Sequence, residues 1–120
     1  MHTERAAFDL TTTERDGLAV VSVAGELDCA TAPLLSEALA HLSEPGQVVL
    51  VDLRDTEFVD CVGLAPLVAA CEHQRQQGGD LILDSPRGEV SKAIALTQLD
   101  RFITVVGRAV PGELVGSDNR

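Results

Sequence analysis

The sequence predicts an α/β fold, in which a mixed β-sheet of four to five strands has helices packed on it. The chain has 120 residues and is 45% apolar, but it contains three Phe and no Trp or Tyr. This length and composition suffice for one domain with an aliphatic core. The apolar pattern alternates between strand and helix periodicity in the order β-β-α-β-α-β-α-β. Strand–helix–strand units require parallel pairing, and an initial hairpin adds an antiparallel edge.

The first half of the chain is predicted to form a hairpin and then a helix. Phe8, Leu10 and Thr12 alternate with polar or small residues, as in an edge strand. An Asp-Gly turn at residues 16 and 17 connects this strand to "LAVVSVAG". A helix is expected to begin near Thr31, whose hydroxyl would accept a bond from the first-turn amides. The predicted buried face of this helix consists of Leu34, Leu35, Ala38, Leu39 and Leu42.

The middle of the chain is predicted to contain a central strand and a second helix. The continuous apolar run "QVVLVDL" is typical of a central strand. A short loop from Thr56 should lead to a helix that begins near Gly63 and ends at the glycine pair after "HQRQQ". The buried stripe of this helix is predicted to consist of Leu64, Leu67, Val68 and Cys71.

The last predicted elements are a strand, a helix and a short final strand. "DLILD" reads as a buried strand, Ser85 and Pro86 as a helix opening, and "RFITVV" as the last strand. We assign residues 1–106 to a single domain. Residues 107–120, which contain Pro111, Gly112 and Gly116, are expected to form a weakly ordered C-terminal tail.

Charge and cysteine content limit the partners and the compartment. A net charge of −10, from 9 basic and 19 acidic residues, argues against nucleic acid or an anionic membrane as a partner. Signal-peptide and membrane-span patterns are not found. Three cysteines, at spacings that fit neither a disulfide scaffold nor a zinc site, indicate reduced thiols. We therefore expect a cytoplasmic protein without a metal or cofactor.

Catalytic motifs are missing from the sequence, which contains no GxxxxGK[ST], GxGxxG or HExxH pattern, and we expect no enzymatic activity. Two strand-to-helix connections are of interest: "GELD" at residues 25–28 and "VDCVGL" at residues 59–64. Ligands and partners of open α/β sheets dock at such connections. Asp60 is expected to cap the second helix, and Gly63 to keep its first turn free of bulk. Both segments also fit ordinary turn chemistry.

Three segments together resemble the STAS domain, specifically the small bacterial anti-sigma-factor antagonists: "GELDCATAPLL", "VVLVDLRDTEFVDCVGLAPLV" and "GGDLILDSPRGEVSKAIALTQLDRFITVV". The resemblance extends over residues 8–106. It implies a STAS-like sheet and a non-enzymatic partner-switching protein that binds an anti-sigma factor, often also a serine kinase of histidine-kinase-like ATPase fold. In this family the kinase switches the antagonist off by phosphorylating a serine.

The resemblance also implies a binding face. Asp28 matches the family's acidic residue near the switch, and Asp60 its helix-opening Asp. The phosphoacceptor position directly after that Asp is occupied by Cys61, and the next hydroxyl position by Val62. We do not expect Cys61 to be phosphorylated. The implied partner-binding residues are Asp28, Asp60, Cys61, Val62, Gly63 and Leu64.

Three interpretations of Cys61 remain open at the level of sequence: a silent replacement of serine, a redox switch, or a nucleophile. The positive end of a helix stabilises a thiolate, and nearby carboxylates oppose this effect. A nucleophile needs a base within reach, and none is placed there by the sequence. The alternative functions are a STAS-fold subunit of a larger signalling assembly, and a thiol-based redox-responsive or small-molecule-binding module. Sequence gives no oligomeric state.

Overall fold

A computed structural model describes residues 8–42 and 44–107. In this part of the chain, six strands and three α-helices follow in the order β1 Asp9–Arg15, β2 Leu18–Leu27, α1 Ala32–Ala40, β3 Val48–Asp52, β4 Thr56–Val59, α2 Cys61–Gln76, β5 Asp80–Asp84, α3 Gly88–Leu96 and β6 Thr104–Val106. A short 3-10 helix, Leu99–Arg101, lies between α3 and β6. The predicted fold class is confirmed. Except for Gly107, the predicted tail lies outside the described residues.

The sheet is mixed, as predicted. Its main path is β1-β2-β3-β5-β6, in which β1 pairs with β2 antiparallel and the other neighbours are parallel. The sheet contains six strands rather than four to five, because β4 also pairs with β2. The expected loop beginning at Thr56 was therefore wrong. The Thr56 hydroxyl donates to the carbonyl of Val23 at 2.7 Å, which fixes the start of β4 against β2.

Strand β2 has different partners along its length. Residues 18–22 pair with β3, and residues 25–27 pair with β4, with a shift of register between Gly25 and Glu26. Gly25 has a φ of 97°, a left-handed conformation that favours glycine, at the point of this shift. The carboxyl end of β2 therefore lies beside β4.

One face of the sheet forms the core with the helices. Alternate residues of β2, β3 and β5 are buried, and those between them are only partly buried. The buried set forms one cluster with side chains from all three helices, including Leu35, Leu67 and Ile94. The amide of the buried Gln74 also donates to the Leu42 carbonyl, which ties α2 to the end of α1. The helices are therefore held on the sheet by a shared aliphatic core.

The observed N-caps of α1 and α2 match the predictions to different degrees. Asp60 caps α2, as predicted, and Leu64, Leu67, Val68 and Cys71 pack in or against the core. The Thr31 hydroxyl does not bond to the first turn of α1, so that expectation was wrong. It donates to the Glu26 carbonyl at 2.7 Å and accepts from the Asp28 amide at 2.9 Å.

The predicted start of α3 and the predicted buried face of α1 were also partly wrong. Helix α3 begins at Gly88 rather than near Ser85, because the Ser85 amide still donates to the Val106 carbonyl at 2.8 Å. Ser85 also has a φ of 57°, which turns the chain before the helix starts. In α1, Leu34 is 50% exposed and does not share the buried face with Leu35 and Leu39.

Candidate functional site

The two strand-to-helix connections lie side by side. Strands β2 and β4 run parallel, and their last pair in register is Leu27 with Val59. The Asp60 amide continues this ladder by donating to the Leu27 carbonyl at 3.3 Å. The residues that follow each strand therefore leave the sheet at the same edge.

Asp60 organises the first turn of α2. Its backbone is extended, with φ −114° and ψ −177°, and its Oδ1 accepts from the Gly63 amide at 2.8 Å. Its carbonyl accepts from the Leu64 amide at 3.0 Å. This is the geometry of a helix N-cap. Cys61 and Val62 are consequently held on the first turn of a regular helix.

Asp28 organises the turn that follows β2. Its Oδ1 accepts from the amides of Ala30 at 3.0 Å and Thr31 at 3.2 Å. Its backbone carbonyl accepts from the Ala32 amide at 2.7 Å, which leads into α1. This is an Asx-type turn. Asp28 and Asp60 are both half-buried. Each carboxylate accepts hydrogen bonds from backbone amides of the segment that follows its own strand.

Gly63 brings α2 into direct contact with β2. A Cβ atom at this position would lie 2.2 Å from the Leu27 carbonyl oxygen, far inside van der Waals contact. Only glycine permits this approach, which agrees with the expectation that the first turn must lack bulk. The next residue, Leu64, is 6% exposed and belongs to the core. The first turn of α2 is thus fixed to the sheet on its inner side.

The six predicted site residues divide by exposure. Cys61 is exposed, and Val62 is 51% exposed. Asp28 and Asp60 are half-buried, whereas Gly63 and Leu64 are buried. Sequence reasoning did not separate the surface residues of this segment from the buried ones beneath them.

An open groove of about 330 Å³ lies between α1 and α2, next to these residues. It is lined by small or apolar side chains of both helices and by the turn after β2: Cys29, Ala32, Pro33, Ser36, Val62, Ala65, Pro66 and Ala69. The sequence analysis missed this groove, because alanine, serine and proline give no strong periodic signal. It also missed Cys29.

The cysteines differ in environment. Cys29 and Cys61 are exposed, and Cys71 is buried, as its place on the predicted stripe indicated. Burial raises the pKa of the Cys71 thiol, while the nearby Arg75 opposes this effect. A signal for Cys29 was present in the sequence: the triplets Leu-Asp-Cys at residues 27–29 and Val-Asp-Cys at residues 59–61 repeat the same pattern.

Among the described residues, no group of three or more His, Cys, Asp or Glu could hold a metal ion. Among the helices of residues 8–42 and 44–107, none has the length and apolar character needed to cross a membrane.

A family model and curated relatives indicate the same protein family for this chain. The family model described as "STAS domain" matches residues 9–110. The anti-sigma-B factor antagonist of Bacillus subtilis is 30% identical over 92 residues, covering 77% of this chain and 84% of that protein. The anti-sigma-F factor antagonist RsfB of Mycobacterium tuberculosis is 39% identical over 67 residues, covering 55% of each chain.

A solved structure agrees with these relatives. The crystal structure of an anti-sigma factor antagonist from Mycobacterium paratuberculosis superposes with a TM-score of 0.74 at 31% identity, covering 91% of this chain and 92% of that one. The resemblance inferred from the sequence motifs is confirmed, and the chain belongs to the STAS domain family.

Proposed function

We propose that this chain is a non-enzymatic partner-switching protein that binds an anti-sigma factor in the cytoplasm. Relatives named as anti-sigma factor antagonists support a role of this kind. The observation that carries the proposal is the exposed pair Cys61 and Val62, held on a rigid helix turn beside an open apolar groove. A rigid, partly apolar surface is suited to protein binding, because little ordering is needed when the partner docks.

The proposed contact surface consists of Asp28, Asp60, Cys61 and Val62, together with the groove. Gly63 and Leu64 support this surface from the inside, since both are buried. The net charge of −10 favours a partner with a basic surface around the contact. Val62 supplies exposed apolar area at the centre of the contact, and the two half-buried carboxylates supply polar groups beside it.

Cys61 distinguishes this chain within the proposed mechanism. A serine kinase of histidine-kinase-like ATPase fold, the other proposed partner, transfers phosphate to a hydroxyl. The chain presents a thiol at that position and an aliphatic side chain at the next. We therefore propose that such a kinase does not phosphorylate the protein here, so that the chain stays in its binding form with respect to that kinase.

The test is a pull-down from the source cell with the chain as bait, followed by affinity measurements with the captured partner. Val62→Asp is expected to weaken binding tenfold or more, because it places a charge in the apolar centre of the contact. Asp28 and Asp60 are poor probes, since both carboxylates hold backbone amides.

The matched control is Leu96→Asp, because Leu96 is 80% exposed on α3, outside the proposed surface. This variant should bind like the wild type. Equal weakening by both substitutions would show a general effect of negative charge. Unchanged affinity in Val62→Asp would exclude the first turn of α2 from the interface.

A further inference from the structure

We propose that Cys29 and Cys61 form a thiol pair that a peroxide converts into a reversible disulfide, and that this bond controls partner binding in place of phosphorylation. The disulfide itself is independent of the proposed function. Its effect on binding rests on that function, because it concerns the same surface.

The register of the sheet places the turn that carries Cys29 beside the helix start that carries Cys61. Each cysteine lies two positions beyond the last β2–β4 pair, Leu27 with Val59, and the Asp60 amide extends the ladder by one bond. Neighbouring strands lie about 4.8 Å apart. Disulfides join Cα atoms about 4.4–6.8 Å apart, so the proposed bond requires the turn after β2 and the first turn of α2 to approach to this range.

The contact below the cysteines keeps them in place. Gly63, two residues after Cys61, lies directly on Leu27, two residues before Cys29. Cys29 belongs to the turn organised by Asp28, and it lines the same groove as Val62, the neighbour of Cys61. Two backbone segments that contact each other at Leu27 and Gly63 therefore carry one exposed cysteine each.

The third cysteine is excluded as a partner. Cys71 is 0% exposed, and it lies ten residues after Cys61 on the same helix. At a rise of about 1.5 Å per residue this is about 15 Å, which is beyond the reach of a disulfide. Cys29 and Cys61 are both exposed, so a peroxide can reach them.

The chemistry proceeds in two steps. The thiolate of one cysteine attacks the peroxide, so that an S–O bond forms, the O–O bond breaks, and a sulfenic acid and an alcohol or water result. The second thiol then attacks this sulfur, the S–S bond forms, and water leaves. Two thiols are oxidised and one peroxide is reduced. The bond would join the turn after β2 to the first turn of α2 and remove both thiols from the contact surface.

The first test uses reduced full-length protein at low concentration, treated with hydrogen peroxide and then with a thiol-alkylating reagent after denaturation. The wild type is expected to lose two hydrogens and to retain one alkylated cysteine, Cys71. Peptide mapping should find Cys29 joined to Cys61, and dithiothreitol should restore three free thiols.

Variants that each replace one cysteine test whether the disulfide joins Cys29 to Cys61. Cys29→Ser and Cys61→Ser should each fail to form the intramolecular bond, whereas Cys71→Ala should form it like the wild type. Three free thiols after treatment, oxidation of either cysteine to sulfinic acid without a bond, or a disulfide between two chains would each overturn the proposed pair.

The second test measures affinity for the captured anti-sigma factor. Oxidised wild type is expected to bind at least tenfold more weakly than reduced wild type, and dithiothreitol treatment of the oxidised protein should restore the affinity. Equal affinity of the oxidised and reduced forms would overturn the control of binding. Failure to find an anti-sigma factor would contradict the proposed function, while the mass measurement would still decide the disulfide.

Discussion

At the residue scale, the site depends on atoms that fix the backbone and on atoms that are left free on the surface. The carboxylates of Asp28 and Asp60 accept hydrogen bonds from backbone amides. Gly63 has no side chain, which allows α2 to contact the Leu27 carbonyl. Cys61 and Val62 can therefore change with little effect on the turn that carries them. This is why residues of different chemistry can occupy position 61 without loss of the local fold.

Cys61→Ser should restore a hydroxyl in nearly the same volume. We expect the cognate kinase to phosphorylate this variant and not the wild type, as read by intact mass after incubation with ATP. Phosphate adds a charge of about −1.5 to −2, which would repel the carboxylates nearby. Cys61→Ala is the control and should stay unmodified. Phosphate on the wild type at the exposed Ser36 would show that the acceptor has moved along the chain.

Cys71 should make stability depend on alkaline pH. Burial raises the pKa of its thiol above the ordinary value of 9.0, Asp80 and Glu72 act in the same direction, and Arg75 opposes them. The unfolded chain therefore loses this proton at lower pH than the folded chain. The contribution is fully present below pH 9.0 and is lost as pH rises above it.

The measurement is urea unfolding from about pH 8 to about pH 10, compared between the wild type and Cys71→Ala. The wild type should lose more stability over this range than the variant. The range is favourable, because the chain has no tyrosine and Lys92 is its only lysine. Parallel stability curves would mean that the Cys71 thiol titrates alike in the folded and unfolded chain.

At the element scale, α2 carries both the core stripe and the surface of the site. Leu67 is 0% exposed, so Leu67→Ala should lower the free energy of unfolding by about 2–5 kcal/mol, through lost apolar contact and a residual cavity. The control is Leu34→Ala in α1, a half-exposed leucine for which a much smaller loss is expected. Denaturant titration of both variants measures the difference. Equal losses would place Leu34 in the core, as the sequence pattern wrongly predicted.

Gly63→Ala should disturb the contact between α2 and β2. The added Cβ would lie 2.2 Å from the Leu27 carbonyl oxygen, so the helix start must shift, at a cost of about 1–3 kcal/mol or more. Gly78→Ala is the control, because nothing lies within 4 Å of its added Cβ and only the positive φ of 86° opposes it. Thermal melts should rank Gly63→Ala below Gly78→Ala, and partner binding should fall in the first variant. The reverse order would indicate that the first turn adapts freely.

The elements that the sequence predicted well are those with long apolar patterns. Strands β2, β3 and β5 and helix α2 contain enough apolar positions for their periodicity to be unambiguous. Strand β4 was missed because it has four residues and is defined by its pairing with β2, which is a tertiary contact. Leu34 was misplaced because α1 buries a narrower stripe than its apolar composition suggested. The start of α3 was displaced because Ser85 remains bonded to β6.

At the scale of the whole molecule, one aliphatic core joins the sheet to all three helices. Composition alone predicted this core, since the chain has few aromatic residues and many Val, Leu, Ile and Ala. The adjacency of the two strand-to-helix connections also follows from topology, because parallel strand ends meet at one edge. The sequence did not predict the groove or the proposed Cys29–Cys61 pair. Both depend on the pairing of β4 with the carboxyl end of β2, and β4 was not predicted.

The change of partners along β2 has a consequence for motion. Residues 18–22 have a neighbour on both sides, β1 and β3. Residues 25–27 pair with the four-residue β4, and within the described residues the ladder between β1 and β2 ends at Ala24. Local opening of β2 should therefore begin at its carboxyl end. Amide hydrogen exchange is expected to be faster at Leu27 than at Val21, and a bound partner should slow it at Leu27 first. Strand β2 would then exchange slowly where β1 and β3 both pair with it and faster at its carboxyl end, where a bound partner should add the largest protection.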